Sequence, residues 1–227
     1  MLTPPTVVNP LTVSVSRSGK KRLNLDLRQV KTHVRKQKIE FEDIRTASHF
    51  FLSQDNFMLK FDLKSVYHQI DILEDHRKFL GFSWFFSDQK IPRDFVFTVL
   101  PFGLSSAHYI FTKLVRELVK FLRLHAIRAT VYLDDGLVSV KDYSKCLNSS
   151  MFVRNTLYSA TFLPSQAKSV WQSTQKLVWL DYDIGLLNHL ISILVKRVKS
   201  ALDATNRLLA SRPITTARIL AQFLPAR

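Results

Sequence analysis

The sequence predicts an α+β fold, a sheet covered by helices. Three observations carry that reading. The 227 residues are 46% hydrophobic, enough for a substantial core in one large domain or in two or three subdomains. Strand-like runs come in groups, without the regular alternation with helices of a doubly wound sheet. From Ser105 the apolar period lengthens to three and four residues, the mark of an amphipathic helix.

Taken in order, Val7–Val15 and Lys21–Leu27 read as the strands of a hairpin, with Ser18-Gly19 as its turn. Val30–Lys38 follows as a helix. Phe57–Asp62 is an apolar strand that ends in an acid. Phe79–Phe86 and Asp94–Leu100 are two more strands, joined by a polar turn near Ser87–Arg93. Leu104, Ala107, Phe111, Leu114, Val115, Leu118 and Leu122 then mark one face of a helix. VYLDDGLVSV at 131–140 reads as a hairpin about Asp-Asp-Gly, with Gly136 free to take the positive φ of the turn. Asp142 is placed to cap a helix running to about Ala160. Leu177–Ile184 and Leu190–Leu194 make a terminal hairpin. Lys196–Ala210 and Thr215–Phe223 are helical, split by Pro213.

The net charge of +15 and the pI of about 10.1 predict attraction to a polyanion. Arg17, Lys20, Lys21, Arg22, Arg28, Lys31, Arg35, Lys36 and Lys38 form one basic cluster, and Lys196, Arg197, Lys199, Arg207, Arg212 and Arg218 another. Clusters of this kind are commonly solvated faces; two of them flanking an acidic centre favour nucleic-acid contact. A membrane surface is the rival partner, but no apolar run reaches the length of a spanning helix. The start, MLTPPTVVNP, lacks the basic and apolar regions of a secretory signal. A single cysteine, Cys146, excludes an internal disulfide and fits a reducing compartment, with cytoplasm and nucleus both open. The histidines and Cys146 show no zinc-ligand spacing.

Asp134 and Asp135 are the chemical question in this sequence. Read alone, Asp-Asp-Gly is ordinary turn chemistry. Adjacent carboxylates repel, however, and a cluster of three stays ionised only beside a cation. Asp62, at its strand end, is the candidate third acid. Alone it reads as a solubilising strand terminus, and spacing cannot show that it meets Asp134.

Three blocks in order change the weighing: FDLKSVYHQI at 61–70, VLPFGLSSA at 99–107 and VYLDDG at 131–136. Together they resemble motifs A, B and C of reverse transcriptases. NPLTVSVSRSGKKRLNLDLRQV at 9–30 is similar to the fingers hairpin of that family, and FLPSQAKSVW at 162–171 to motif D. VWLDYDI at 178–184 is similar to the primer grip and TTARILAQF at 215–223 to the thumb. The resemblance is strongest to retrotransposon polymerases of DIRS type, which pair the enzyme with a tyrosine recombinase. It implies a right-hand polymerase palm, a small antiparallel sheet with helices on one face, with partial fingers and a partial thumb. The expected division is partial fingers at 1–56, palm at 57–176 with inserted fingers strands at about 68–100, primer-grip hairpin at 177–195 and partial thumb at 196–227.

The resemblance also implies chemistry. A DNA polymerase of this family joins a primer 3′-hydroxyl to a deoxynucleoside triphosphate on an RNA or DNA template, using two Mg²⁺ ions, with Mn²⁺ as the alternative. Two divalent ions about 4 Å apart stabilise the attacking and leaving oxygens, and hard cations select carboxylate oxygens. By the family pattern, Asp62 and Asp134 bridge the ions, Asp135 assists and the Leu63 carbonyl is a further ligand. Tyr67 matches the residue that stacks under the nucleotide sugar; on composition alone it is a core aromatic. Arg22, with Lys20 or Lys21, matches the fingers cations that grip the triphosphate; otherwise these are solvated hairpin charges. Phe102 and Gly103 match the turn before the motif B helix, where a glycine lets backbone approach the nucleotide. Lys168 matches a motif D lysine that protonates the leaving pyrophosphate, and an exposed loop lysine is the equal alternative. Leu180, Asp181 and Tyr182 match the primer grip.

Three positions depart from the pattern. His108 stands where motif B has proline, Val66 where motif A often has a small residue, and Asp181 where the primer grip has glycine. The Asp181 charge beside phosphates predicts weaker primer binding. The sequence contains no recognisable ribonuclease H or recombinase region, so it reads as a fragment of a longer polyprotein or a decayed copy. A catalytically inactive nucleic-acid-binding remnant is accordingly the alternative to an active polymerase.

Overall fold

The computed structural model describes residues 4–16, 19, 21–50 and 53–210. An antiparallel hairpin opens the chain, β1 (Leu11–Val15) with β2 (Lys21–Leu25), followed by short helices α1 (Arg28–His33) and α2 (Ile44–Phe50). Strand β3 (Asn56–Asp62) leads to a 3₁₀ turn at Val66–Gln69, helix α3 (Glu74–Arg77) and the hairpin β4 (Gly81–Trp84) with β5 (Arg93–Val96). Helix α4 (Ala107–Leu124) precedes β6 (Arg128–Tyr132), β7 (Asp135–Lys141) and α5 (Tyr143–Ser159). The chain then runs through β8 (Val170–Thr174), β9 (Lys176–Trp179), β10 (Tyr182–Gly185), β11 (Leu190–Ile193) and α6 (Val195–Ala210).

The central sheet is four-stranded and antiparallel, in the order β6-β7-β3-β8. Its two faces follow from strand alternation. Leu59 and Phe61 of β3 and Val138 of β7 join the main core with Phe111, Val115 and Leu122 of α4 and Val153 and Leu157 of α5. The opposite face carries Met58 and Leu137, packed with Ala47 of α2 and with Leu177, Trp179 and Ile184 of the β9-β10-β11 sheet. Helices α4 and α5 thus cover one face, and the small β9–β11 sheet with α2 caps part of the other. Among the described residues no helix is long and apolar enough to cross a membrane.

Several sequence expectations are corrected. The helix expected over Val30–Lys38 is α1; it stops where Val34 turns extended, and Arg35–Lys38 offer no apolar side chain to bury. Leu114 is 46% exposed, and Val119 takes a buried place on α4. Strands expected over 79–86 and 94–100 are only four residues each, β4 and β5. The strand expected over Leu177–Ile184 breaks at Leu180-Asp181, so the terminal unit has three strands instead of two. Helix α2 and strand β8 lack a clear period and were not expected. Asp142 does cap α5, accepting from the Ser144 and Lys145 N–H groups. The turn residues Arg17 and Ser18, and the helix expected over Thr215–Phe223, lie outside the described residues.

Candidate active site

Pairing of β3 with β7 sets Asp62 directly opposite Asp135. Both stand on the face that carries Met58 and Leu137, away from α4 and α5. Asp134 occupies the two-residue turn, Leu133-Asp134, that joins β6 to β7, and its carbonyl accepts the Leu63 N–H at 2.9 Å. The tip of one hairpin is thereby tied to the end of β3.

The turn is not built as the sequence suggested. Leu133, not Gly136, carries the left-handed backbone, at φ 52°. Gly136 lies in the ladder opposite Phe61, and a Cβ there would come within 2.2 Å of the Phe61 ring. Its glycine answers to packing. A branched residue held at positive φ stores local strain at the tip that bears Asp134.

The environment of the three acids is uneven. Asp62 is 7% exposed, and its Oδ2 accepts from Lys168 Nζ at 2.8 Å. The loop bearing Lys168 is fixed by the Asp62 backbone itself: Ser165 N–H donates to the Asp62 carbonyl at 2.7 Å, and Asp62 N–H donates to Ser169 Oγ at 3.1 Å. Hydrogen bonding to Asp62 in turn holds the Lys168 ammonium above the usual lysine range. Asp135 is half-buried. Burial first, then the charges of Asp134 and Asp62, push its carboxyl up to about 6.

Asp62, Asp135 and Lys168 line a cleft of about 930 Å³ with Lys60, Tyr132, Trp179, Leu180, Asp181, Tyr182, Lys196 and Arg197. Trp179 Nε1 donates to the Asp135 carbonyl at 3.3 Å, joining the β9–β10 hairpin to the acid-bearing strand. No sequence signal pointed to this bond or to Lys60 in the cleft, whereas Lys196 and Arg197 come from the second basic cluster.

The remaining site residues form a group of their own. Tyr67 is 8% exposed and packs edge-on against Phe102 at 5.5 Å and Phe111 at 5.9 Å, with His108 at 5.3 Å. Burial, then the Asp134 charge, push its hydroxyl up to about 12. Arg22 lies over the Phe102 ring at 5.7 Å. Gly103 adopts φ 107°, and a Cβ there would meet the Leu25 carbonyl oxygen at 2.0 Å. The Leu25 N–H donates to the Phe102 carbonyl at 3.0 Å. The close backbone approach that demands this glycine is therefore to β2. Lys20 lies outside the described residues. Asp134 does not line the cleft, yet its charge acts on both Asp135 and Tyr67.

Oxygen donors on three carboxylates suit a hard divalent cation. Among the described residues, though, no group of three His, Cys, Asp or Glu side chains converges closely enough to hold a metal ion. One oxygen of Asp62 is engaged by Lys168, a monovalent cation beside the acids.

Comparison with known proteins decides what this arrangement is. Residues 11–184 match the family described as reverse transcriptase (RNA-dependent DNA polymerase). The chain belongs to the reverse transcriptase family. A curated relative, the genome polyprotein of Petunia vein clearing virus (isolate Shepherd), is 36% identical over 101 residues, which make up 43% of this chain and 4% of that polyprotein. Isolate Hohn gives the same figures. The chain therefore spans a small fraction of the polyproteins it matches. Among solved structures, a foamy viral protease-reverse transcriptase in complex with double-stranded DNA superposes with TM-score 0.75 at 20% identity, over 98% of this chain and 36% of the other. The foamy viral protein in complex with an RNA/DNA hybrid gives 0.71 at 19% identity, over 90% and 26%. The likeness establishes the α+β polymerase fold of a reverse transcriptase, with β6-β7-β3-β8 and its two helices as the palm-like layer.

Proposed function

We propose that this reverse transcriptase chain carries out template-directed DNA synthesis, transferring nucleotidyl groups from deoxynucleoside triphosphates to a primer 3′-hydroxyl by a two-metal mechanism. The observation that carries the proposal is the pairing of Asp62 with Asp135 across β3 and β7, with Asp134 in the adjoining turn. Charge builds on the phosphoryl oxygens during such transfer, so catalysis is largely positioning and electrostatic stabilisation. Two Mg²⁺ ions, or Mn²⁺ in their place, supply that stabilisation when bound. Asp62 and Asp134, with the Leu63 carbonyl, would hold them, and Asp135 adds negative potential.

By the family pattern Arg22, with Lys20 or Lys21, takes the triphosphate, and Tyr67, Phe102 and Gly103 shape the sugar side. Leu180, Asp181 and Tyr182 form the primer side of the cleft. Lys168 serves as proton donor to the leaving pyrophosphate once Asp62 releases it. While paired, its hydrogen bond to Asp62 holds the proton more tightly. The expected partners are a primed RNA or DNA template and the ribonuclease H and recombinase regions of a longer polyprotein. The motif wording supports placement among tyrosine-recombinase elements. The divisions into fingers, palm, primer grip and thumb are those given above.

One observation favours a second reading, a nucleic-acid-binding remnant: the carboxylates do not converge on one ion position. Primer extension separates the two. The 227-residue chain on a primed RNA template, with Mg²⁺ and four deoxynucleotides at low salt, extends the primer under the first reading, and Asp134→Asn binds without extending. Tight binding by the parent with no extension supports the remnant.

A further inference from the structure

A second charged group sits at the rim of the cleft. Leu180 and Asp181 form the two-residue turn between β9 and β10, both with left-handed backbone, φ 49° and 64°. The Asp181 carboxylate meets Arg197 Nε at 2.8 Å and Lys196 Nζ at 3.8 Å. Behind them the Leu194 N–H donates to the Asp181 carbonyl at 3.1 Å. The turn and the first turn of α6 are thus fastened by side chain and main chain together. Asp181, Lys196 and Arg197 all line the cleft that holds Asp62 and Asp135.

The Arg197 and Lys196 side chains are 64% and 74% exposed, so these ion pairs contribute little to stability. What they fix is direction. Two long cationic side chains that would otherwise sample many rotamers are drawn to one place beside the acids. A guanidinium carries five donors, so one carboxylate does not exhaust Arg197.

We infer that Asp181 is a positioning residue for nucleic acid: it holds Arg197 and Lys196 at the rim of the cleft, where the two cations grip a backbone phosphate of the primer strand. The inference rests on the polymerase reading and adds to it the side chains that take the phosphate. It also reverses the sequence expectation for Asp181. As a bare charge, Asp181 repels the primer, and its neutralisation tightens binding. As a positioner, its neutralisation frees both cations, and binding weakens although the protein has become more positive.

The sign is measured by equilibrium binding of the full chain to a fluorescent primed RNA template over a KCl series. Asp181→Asn is the informative variant, because asparagine keeps the shape and tolerates left-handed backbone. The expected result is a loss of about tenfold in affinity. Arg197→Gln loses a similar factor, and the double variant loses less than the two single losses combined, the remainder being the release of Lys196. The slope of log affinity against log salt falls by about one in Arg197→Gln, one phosphate contact fewer. Asp181→Glu recovers part of the loss. Unchanged or tighter binding by Asp181→Asn, or strictly additive losses, overturns the inference. A parent that extends primers while Asp181→Asn binds equally well overturns this inference alone. A parent that binds no primed template overturns it together with the polymerase reading.

Discussion

Lys168 closes on Asp62, Nζ to Oδ2 at 2.8 Å, and so pairs the least exposed acid of the cleft with a lysine whose side chain is 66% exposed. A buried carboxylate needs a partner, and this ammonium is one. Because the lysine loop hangs on the Asp62 backbone by two hydrogen bonds, the pair is built into the fold.

Lys168→Met leaves Asp62 unpaired. Breaking a fully buried pair costs about 3–5 kcal/mol, but the exposed lysine end is screened, and a loss of about 1–2 kcal/mol is expected here. Adding MgCl₂ should raise the Tm of Lys168→Met more than that of the parent, because the ion no longer competes with the ammonium. Calorimetry with and without Mg²⁺ checks both. Equal Mg²⁺ shifts in the two proteins would mean that Lys168 does not guard the ion position.

Asp135 predicts a pH dependence. Its folded-state carboxyl, pushed up to about 6 from 3.8, holds a proton more tightly than the unfolded chain does. The native state therefore binds more protons between these values, and stability falls as pH rises through that window, by about 1–2 kcal/mol once solvent screening of the half-buried carboxyl is allowed for. Asp135→Asn escapes the penalty. It should melt above the parent at about pH 7.5, with the gap closing as pH drops to about 4. A gap constant with pH would contradict this.

Gly136 is held by the Phe61 ring, which leaves 2.2 Å for an added Cβ. Gly136→Ala should cost about 1–3 kcal/mol by overpacking, read from urea denaturation. Phe61→Leu should be less destabilising in the Gly136→Ala background than alone, since it opens the space that alanine needs. Additive losses would place the strain elsewhere.

Much of this was legible in the sequence, and what was hidden shares a cause. Strands β3, β6 and β7, helices α4 and α5, and the Asp142 cap follow from local period and turn chemistry. The opposition of Asp62 to Asp135 did not, because register between distant strands is set by packing on two faces at once. Gly136 and Gly103 were read as conformational or ligand-facing glycines. Their neighbours, the Phe61 ring and the Leu25 carbonyl, come from parts of the chain that spacing cannot relate. The pairing of Asp181 with Arg197 was equally hidden, because Arg197 lies on another element.

The most direct test of the central claim is single-turnover incorporation of the next correct deoxynucleotide into a primed RNA template, with Mg²⁺, by the parent and by Asp62→Asn. Incorporation by the parent and a loss of at least about a thousandfold in Asp62→Asn, with template binding preserved, is the predicted result. Equal rates in the two proteins would show that the acid opposite Asp135 is not part of a catalytic centre.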